Sequence, residues 1–221
     1  MSIECSVTVN GEHLVLDTAG ALWWPEARTL VFADLHFEKG SAFARSGQML
    51  PPYDTRTTLR RMGSLIARYS PGRVIALGDS FHDRNGPERL DESERDSLIR
   101  FGQAAEWIWI AGNHDPTPPA WLGGRICEEV AIGGLLFRHE PSPAPAAGEI
   151  AGHLHPCKHV VRRGRTIRRR CFASDGSRLV MPAFGAYAGG LDVRERAVRM
   201  LFGTNFISYV LGRARVYAIA A

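Results

Sequence analysis

Short apolar runs that each end in a cluster of polar residues constrain the fold of this chain more than any other feature. The runs cover residues 29–33, 73–77, 107–111, 135–137 and 149–151, and the polar residues that follow them are Asp34 with His36, Asp79, Asn113 with His114, His139, and His153 with His155. Near-continuous apolar runs of this length are typical of strands buried on both faces. The sequence therefore predicts a central sheet that carries polar side chains at the ends of its strands.

The segments between these runs show helical patterns. Apolar residues at helical spacing over 59–69 predict a helix that is capped by Asp54. Asp91 followed by Glu94 resembles a capping box that opens a second helix. From Leu179 onward, short apolar runs separated by glycines predict further strands. Strands that alternate with helices favour an α/β fold with its functional site along the carboxyl edge of the sheet.

The overall composition is that of a globular protein. The chain has 221 residues, of which 45% are hydrophobic and 23% charged, so we predict one substantial core and a single domain over residues 1–221. No run of about 18 uncharged apolar residues occurs, and the first residues lack the pattern of a signal peptide. The four cysteines form no CxxC pair, which argues against a zinc ribbon and suits a reducing compartment. We expect a cytoplasmic protein with no disulfide and no membrane association.

The strand ends together offer two carboxylates, one amide and five imidazoles. Oxygen and nitrogen ligands without cysteine are what a pair of divalent cations would use. In extended structure, residues i and i+2 project to the same side, so the pairs at 34 and 36 and at 153 and 155 can each line one site. A single histidine at a strand end is more often structural than a ligand. The ordered set of five motifs nevertheless predicts a metal site.

The motifs DLH, GD, GNHD, a lone histidine and GHLH, between Asp34 and His155, resemble the calcineurin-like metallophosphoesterase superfamily. The resemblance implies a four-layer α/β/β/α sandwich that holds two metal ions. It places Asp34, His36 and His155 on one ion, Asn113, His139 and His153 on the other, and Asp79 as the bridge between them. It also implies that His114, which is no ligand in that family, stabilises the transition state or protonates the leaving oxygen.

These residues suit hydrolysis of a phosphate ester. Two cations about 3.5 to 4 Å apart can share a water, lower its pKa and clamp both oxygens of an in-line displacement at phosphorus. Asp79 has the two carboxylate oxygens that a bridge requires, and His114 directly follows the ligand Asn113. Two interpretations of Asp115 stay open, one that it orients His114 and the other that it caps a helix. The general order of metal affinities favours Zn²⁺, whereas cellular availability and the Asp, Asn and His donors favour Mn²⁺. We expect Mn²⁺, and Fe²⁺ is a further possibility.

Differences from the motifs of individual branches of this superfamily narrow the range of possible substrates. The segment GDSFH, residues 78–82, differs from the GDxVDRG of protein phosphatases and resembles the GDxFH of double-strand-break repair nucleases, which places His82 beside the site. The alternative for His82 is a surface loop histidine. The longer set DLHFEKGS, GDSFHD, GNHDP, HEP, GHLHP and MPAFGAYAGG resembles bacterial ligase-associated or helicase-associated DNA damage response metallophosphoesterases. That resemblance implies a manganese-dependent phosphodiesterase and endonuclease acting on single-stranded DNA, with a DNA ligase and a helicase as pathway neighbours.

A basic run follows the GHLHP motif and fits a nucleic-acid substrate. The chain has a formal net charge of +4, and the cations in this run are Lys158, Arg162, Arg163, Arg165, Arg168, Arg169 and Arg170. Such a run can steer the phosphates of a strand into the site, and we predict that Arg168, Arg169 and Arg170 bind substrate together with Asn113 and His82. The alternative is a solvated hairpin that turns at Gly164.

Other functions remain open at this stage. Lys39 could contact substrate phosphate or form an ion pair with Glu38. The enzyme could be a phosphomonoesterase or a small-nucleotide phosphodiesterase, and it could cut DNA as an endonuclease or an exonuclease. A third hypothesis is a DNA-binding module that keeps the fold without activity, and the complete ligand set argues against it.

Overall fold

The computed structural model describes residues 5–203 and 205–220. One sheet of the described chain contains seven strands in sequential order: β1 (Cys5–Val9), β2 (Glu12–Leu16), β3 (Leu22–Trp24), β4 (Thr29–Ala33), β5 (Arg73–Leu77), β6 (Glu106–Ile110) and β7 (Arg125–Cys127). Strands β1 to β4 pair antiparallel, and β4 to β7 pair parallel. The polar clusters after β4, β5 and β6 therefore emerge at one edge of this sheet.

A second sheet is built by the later part of the chain. Its strands are β8 (Glu129–Ile132), β9 (Leu135–Arg138), β10 (Glu149–Ala151), β11 (Cys157–Arg162), β12 (Arg165–Ser174), β13 (Leu179–Val180), β14 (Ile207–Leu211) and β15 (Val216–Ala220). The order is β15-β14-β12-β13-β10-β9-β8, and β11 pairs with β12 outside this path. Because β9 and β10 are parallel, the histidines that follow them also lie at a common edge.

Helices cover the outer faces of both sheets. They are α1 (Lys39–Arg45), α2 (Asp54–Tyr69), α3 (Gly86–Arg89), α4 (Glu92–Ala104) and α5 (Arg196–Phe202), with a short 3-10 helix at Ala120–Leu122. Helices α2 and α4 pack on the first sheet, and α5 packs on the second. The prediction of a four-layer α/β/β/α sandwich is confirmed.

The apolar runs are continuous because the strands of the first sheet face two cores. In β4, Val31 and Ala33 point into the core between the sheets, where they meet Phe137 of the second sheet. Leu30 and Phe32 point the other way, towards α2 and α4. Burial on both faces removes the alternation that a half-exposed strand would show, as the sequence predicts.

Two local predictions are wrong, and one is confirmed. Asp54 does not cap α2, because Tyr53 holds the cap position and the Asp54 carboxylate instead accepts a hydrogen bond from the Gly40 amide at 2.9 Å. The segment 196–202 is a helix and not a strand, since its buried residues are four apart and cover the outer face of the second sheet. The capping box of Asp91 and Glu94 is present at the start of α4.

The four cysteines carry free thiols, as expected. None of the helices in the described ranges has the length and apolar character needed to span a bilayer.

Candidate metal centre

The predicted ligands converge through left-handed backbone conformations. Asp34, His36, Asp79, His153 and His155 have φ angles of 52, 44, 46, 66 and 46°. The idea that the DxH and HxH pairs converge because they are extended is therefore wrong. A positive φ costs a non-glycine residue about 1–3 kcal/mol, and it persists only where the surrounding structure enforces it. Here the sharp turns after the strands aim alternate side chains at one point.

Asp34, His36 and His155 form the first ligand group, with donor atoms within 4.8 Å of one another. The Nε2 atom of His155 lies 3.2 Å from Asp34 Oδ1 and 3.4 Å from His36 Nε2. The Asp34 carboxylate is fully buried and accepts hydrogen bonds from the His153 amide at 3.1 and 3.0 Å. The second sheet thus fixes a ligand that the first sheet supplies.

Asp79, His139 and His153 form the second ligand group, again within 4.8 Å. His139 Nε2 lies 2.9 Å from the Asn113 side-chain oxygen and 3.2 Å from His153 Nδ1. On its other side, His139 Nδ1 donates to the Leu77 carbonyl at 2.9 Å. This bond assigns the ring proton to Nδ1, so the lone pair of Nε2 faces the group, as in metal-ligating histidines.

Asp79 lies between the two ligand groups, and its carboxylate faces both of them. Its Oδ1 is 3.4 Å from His139 Nε2, and its Oδ2 is 3.8 Å from His36 Nε2. The side chain is buried, and the His114 amide donates to Oδ1 at 2.9 Å. One carboxylate oxygen therefore points towards each ligand group.

The donor set fits divalent cations. Two pairs of imidazole nitrogens face each other, 3.4 Å apart in His36 and His155 and 3.2 Å apart in His139 and His153. Within each pair, the two facing nitrogens cannot both carry a proton. Burial, reinforced by neighbouring histidines, lowers the pKa of His36 to about 2. Burial also lowers the pKa of His153, and His139 adds to the effect. Neutral imidazoles beside buried carboxylates are the form that binds metal.

His114 and His82 lie at the open side of the first group. His114 Nδ1 donates to the His82 carbonyl at 2.6 Å, and its Nε2 is 3.9 Å from Asp79 Oδ2. The two rings stack with centroids 5.1 Å apart, and His82 Nδ1 is 3.4 Å from His36 Nδ1. Burial, followed by the charge of Lys39, lowers the pKa of His82 to about 4. His82 belongs to the site and is not an isolated loop residue.

Asp115 takes neither of the two roles considered from the sequence. No helix begins at this residue, and its carboxylate accepts a hydrogen bond from the Phe81 amide at 3.0 Å. Burial raises the pKa of Asp115 to about 7, and the nearby charge of Asp79 acts in the same direction. Asp115 therefore joins the loop that follows β6 to the loop that follows β5. The sequence gives no signal for this contact, because it depends on how two loops pack.

Two motif glycines are required by close approach. A Cβ atom at Gly78, whose φ is 69°, would lie 2.5 Å from the His139 ring. A Cβ atom at Gly112 would lie 2.1 Å from the Asp79 amide nitrogen. Both distances are far below a van der Waals contact, so any side chain here would displace ligands of the second group.

The basic run forms the β11–β12 hairpin, which turns at Arg163 and Gly164 with φ angles of 50 and 72°. Arg169 is exposed opposite Lys158. Arg168 is also exposed, and it donates to the Gly190 carbonyl and to Cys157 Sγ. The side chain of Arg162 lies outside the described residues.

Arg170 is more buried than Arg168 and Arg169. It is half-buried and donates to the Ala183 carbonyl at 2.7 Å. Burial, followed by the charge of Arg61, lowers the pKa of Arg170 to about 10. The guanidinium that the sequence assigns to substrate thus bonds to the protein's own backbone.

The two packed sheets and the ligands at their common edge define a metal-dependent phosphoester hydrolase. The chain belongs to the calcineurin-like phosphoesterase family, whose model matches residues 27–162. It is similar to the crystal structure of Pseudomonas putida nuclease MPE, with 28% identity and a TM-score of 0.78 over 98% of this chain and 100% of that one. Yfce, a phosphoesterase from E. coli, is 13% identical with a TM-score of 0.43 over 87% of this chain and 98% of that one. No curated protein matches the chain.

Proposed function

We propose that this protein is a two-metal phosphodiesterase, and specifically an Mn²⁺-dependent endonuclease that cleaves single-stranded DNA in DNA damage repair. The position of Asp79 carries the proposal, because each of its oxygens lies towards a different ligand group. Asp34, His36 and His155 would hold one cation, and Asn113, His139 and His153 the other. When bound, such a pair of cations neutralises phosphate charge and activates water for in-line attack.

The chain's own residues then position the ester and move a proton. The exposed Asn113 amide stands beside the second group and can reach a phosphate oxygen. His114 has its Nδ1 proton fixed on the His82 carbonyl, so Nε2 is the atom left to face substrate. In the imidazolium form, Nε2 donates its proton to the leaving oxygen. Ester cleavage thus leaves His114 neutral and the departing group protonated.

Two observations support a DNA strand as substrate. The first is the β11–β12 hairpin, where Lys158 and Arg169 are cross-strand partners. Like charges placed opposite each other destabilise a hairpin, and a polyanion relieves that repulsion. The second is the similarity to Pseudomonas putida nuclease MPE. We assign strand binding to Arg168 and Arg169 on the hairpin, with His82 and Asn113 at the site.

The cellular setting follows from the sequence resemblance and from the thiols. The Asp, Asn and His donors favour Mn²⁺, and Zn²⁺ and Fe²⁺ are the metals to compare with it. Free thiols at all four cysteines suit the cytoplasm that we propose. A DNA ligase and a helicase are the proposed pathway partners.

The test uses circular single-stranded DNA, which has no ends. Metal-stripped protein reconstituted with Mn²⁺ is expected to convert circles to linear and shorter products, and the His114→Ala variant is expected to leave them intact. If circles stay intact while linear strands are degraded, the protein is an exonuclease and not an endonuclease. Faster hydrolysis of p-nitrophenyl phosphate than of bis-p-nitrophenyl phosphate would favour the phosphomonoesterase.

A further inference from the structure

Lys39 is the first residue of α1, and its ammonium forms no salt bridge within the part of the chain that the structure describes. Glu38, the adjacent carboxylate, instead accepts hydrogen bonds from the hydroxyls of Ser41 at 2.6 Å and Thr55 at 2.9 Å. The Lys39 ammonium makes no hydrogen bond or ion pair with any described residue, Glu38 included. The charge of Asp54 acts on it, but that carboxylate is buried and bonded to the Gly40 amide.

A row of rings connects this ammonium to the metal centre. Lys39 Nζ lies 5.6 Å from the centroid of the Phe43 ring. The Phe43 centroid lies 5.6 Å from that of His82, and the His82 centroid lies 5.4 Å from that of His36. The Lys39 charge acts on both histidines. The cation therefore lies near the first ligand group, and the rings of Phe43 and His82 form a series of contacts from one to the other.

Arg89 fixes α1 relative to the loop that carries His82. Its guanidinium donates to Ser41 Oγ in α1 at 2.8 Å and forms a salt bridge with Asp83 at 2.7 Å. The hydrogen bond from Arg89 lowers the pKa of Asp83, so the salt bridge persists at neutral pH. The helix that carries the half-buried Lys39 side chain is thus held in place beside the site. An unpaired charge at such a position is costly unless an anion joins it.

We propose that Lys39 binds the phosphate that flanks the scissile one along the DNA strand. This subsite rests on the proposed function, because it requires a substrate with more than one phosphate. A flanking phosphate fits better than the scissile one, since the ammonium contacts the Phe43 ring and makes no hydrogen bond or ion pair with the described residues of the two ligand groups. A compact ammonium on a flexible stem suits a phosphate whose orientation varies along an irregular single strand.

The test compares Lys39→Gln with Arg60→Gln, a matched control that removes the same charge from an exposed position on α2. For Lys39→Gln, kcat/KM for a single-stranded oligonucleotide is expected to fall roughly tenfold. Hydrolysis of bis-p-nitrophenyl phosphate, which has one phosphate, is expected to stay within about twofold. The Arg60→Gln variant is expected to match wild type on both substrates.

A binding measurement separates the subsite from the cleavage chemistry. Fluorescence anisotropy of a labelled oligothymidylate, without added metal, is expected to show weaker binding by Lys39→Gln and a salt slope smaller by about 0.7. A strand that is bound through Lys39 but never cut would overturn the proposed nuclease and leave the subsite standing. Equal losses on both substrates, an unchanged salt slope or no loss at all would each overturn the subsite.

Discussion

The carbonyl of His82 accepts a hydrogen bond from His114 Nδ1 at 2.6 Å. This contact fixes the tautomer of His114 and leaves Nε2 facing Asp79 Oδ2, 3.9 Å away. His114→Ala is therefore expected to lower kcat by about 100- to 10,000-fold while bound metal stays near the wild-type level. Steady-state kinetics and elemental analysis of the same preparation check both parts. Loss of metal along with activity would make His114 a ligand and not a proton donor.

Asp79 is expected to govern the binding of both cations. Asp79→Ala removes the oxygen that faces each ligand group, so activity should be abolished and metal content should fall for both sites. Asp96→Ala, at an exposed position on α4, controls for loss of a carboxylate. Metal titration by calorimetry gives the stoichiometry, and one tight cation remaining in Asp79→Ala would contradict a bridging role.

Arg169 is the hairpin cation best placed to test steering of the strand. Reversal to Glu leaves the fold intact because the side chain is exposed, and it opposes phosphate near the site. We expect roughly tenfold slower DNA cleavage at moderate ionic strength, with bis-p-nitrophenyl phosphate hydrolysis unchanged. The difference should be largest at low salt and should shrink at high salt, where ions screen the charge of residue 169. Equal slowing on both substrates would refute steering.

Arg170→Ala is expected to act on stability. The substitution leaves the carbonyl of Ala183 without a donor, at a cost of about 1–3 kcal/mol. Thermal unfolding should show a lower Tm than for Arg169→Ala, which serves as the matched exposed control. If the two variants unfold together while Arg170→Ala alone loses DNA binding, Arg170 is a substrate residue after all.

Asp192 gives the chain a pH dependence outside the metal centre. Burial alone would raise the pKa of this carboxyl, but hydrogen bonds from Arg194 and His159 lower it well below the usual range. A lowered pKa stabilises the fold above the unfolded value of about 3.9, and the contribution is lost as pH falls. Asp192→Asn should therefore reduce Tm at pH 7, and the difference from wild type should shrink below about pH 4. A constant difference across this range would exclude the ionised carboxylate as its source.

The sequence predicts the chemical groups of the candidate site better than their conformations. Asp34, His36 and Asp79 stand out because each follows a continuous apolar run, and burial of those runs on both faces enforces that pattern. The left-handed turns have no such signal, since Asp and His reach a positive φ more readily than most side chains but still do so in only a minority of positions. Asp115 was unpredictable because its partner amide belongs to a loop 34 residues away.

The later part of the chain was harder to predict for a different reason. Segment 196–202 has only seven residues, too few to show two turns of helical periodicity clearly. Its identity depends on the outer face of the second sheet, which offers a surface for Val198 and Phe202. The burial of Arg170 was unpredictable for the same reason, because a run of cations does not reveal which guanidinium turns inward.

The ligands come from both sheets, with Asp34, His36, Asp79 and Asn113 after strands of the first and His139, His153 and His155 after strands of the second. A cation bound here would act as a clasp between the two halves of the sandwich, so its binding free energy would add to the free energy of unfolding. Small changes of side-chain volume in the core between the sheets, far from any ligand, should then alter metal affinity. Metal binding at the catalytic centre and packing of the core between the sheets would then be thermodynamically coupled.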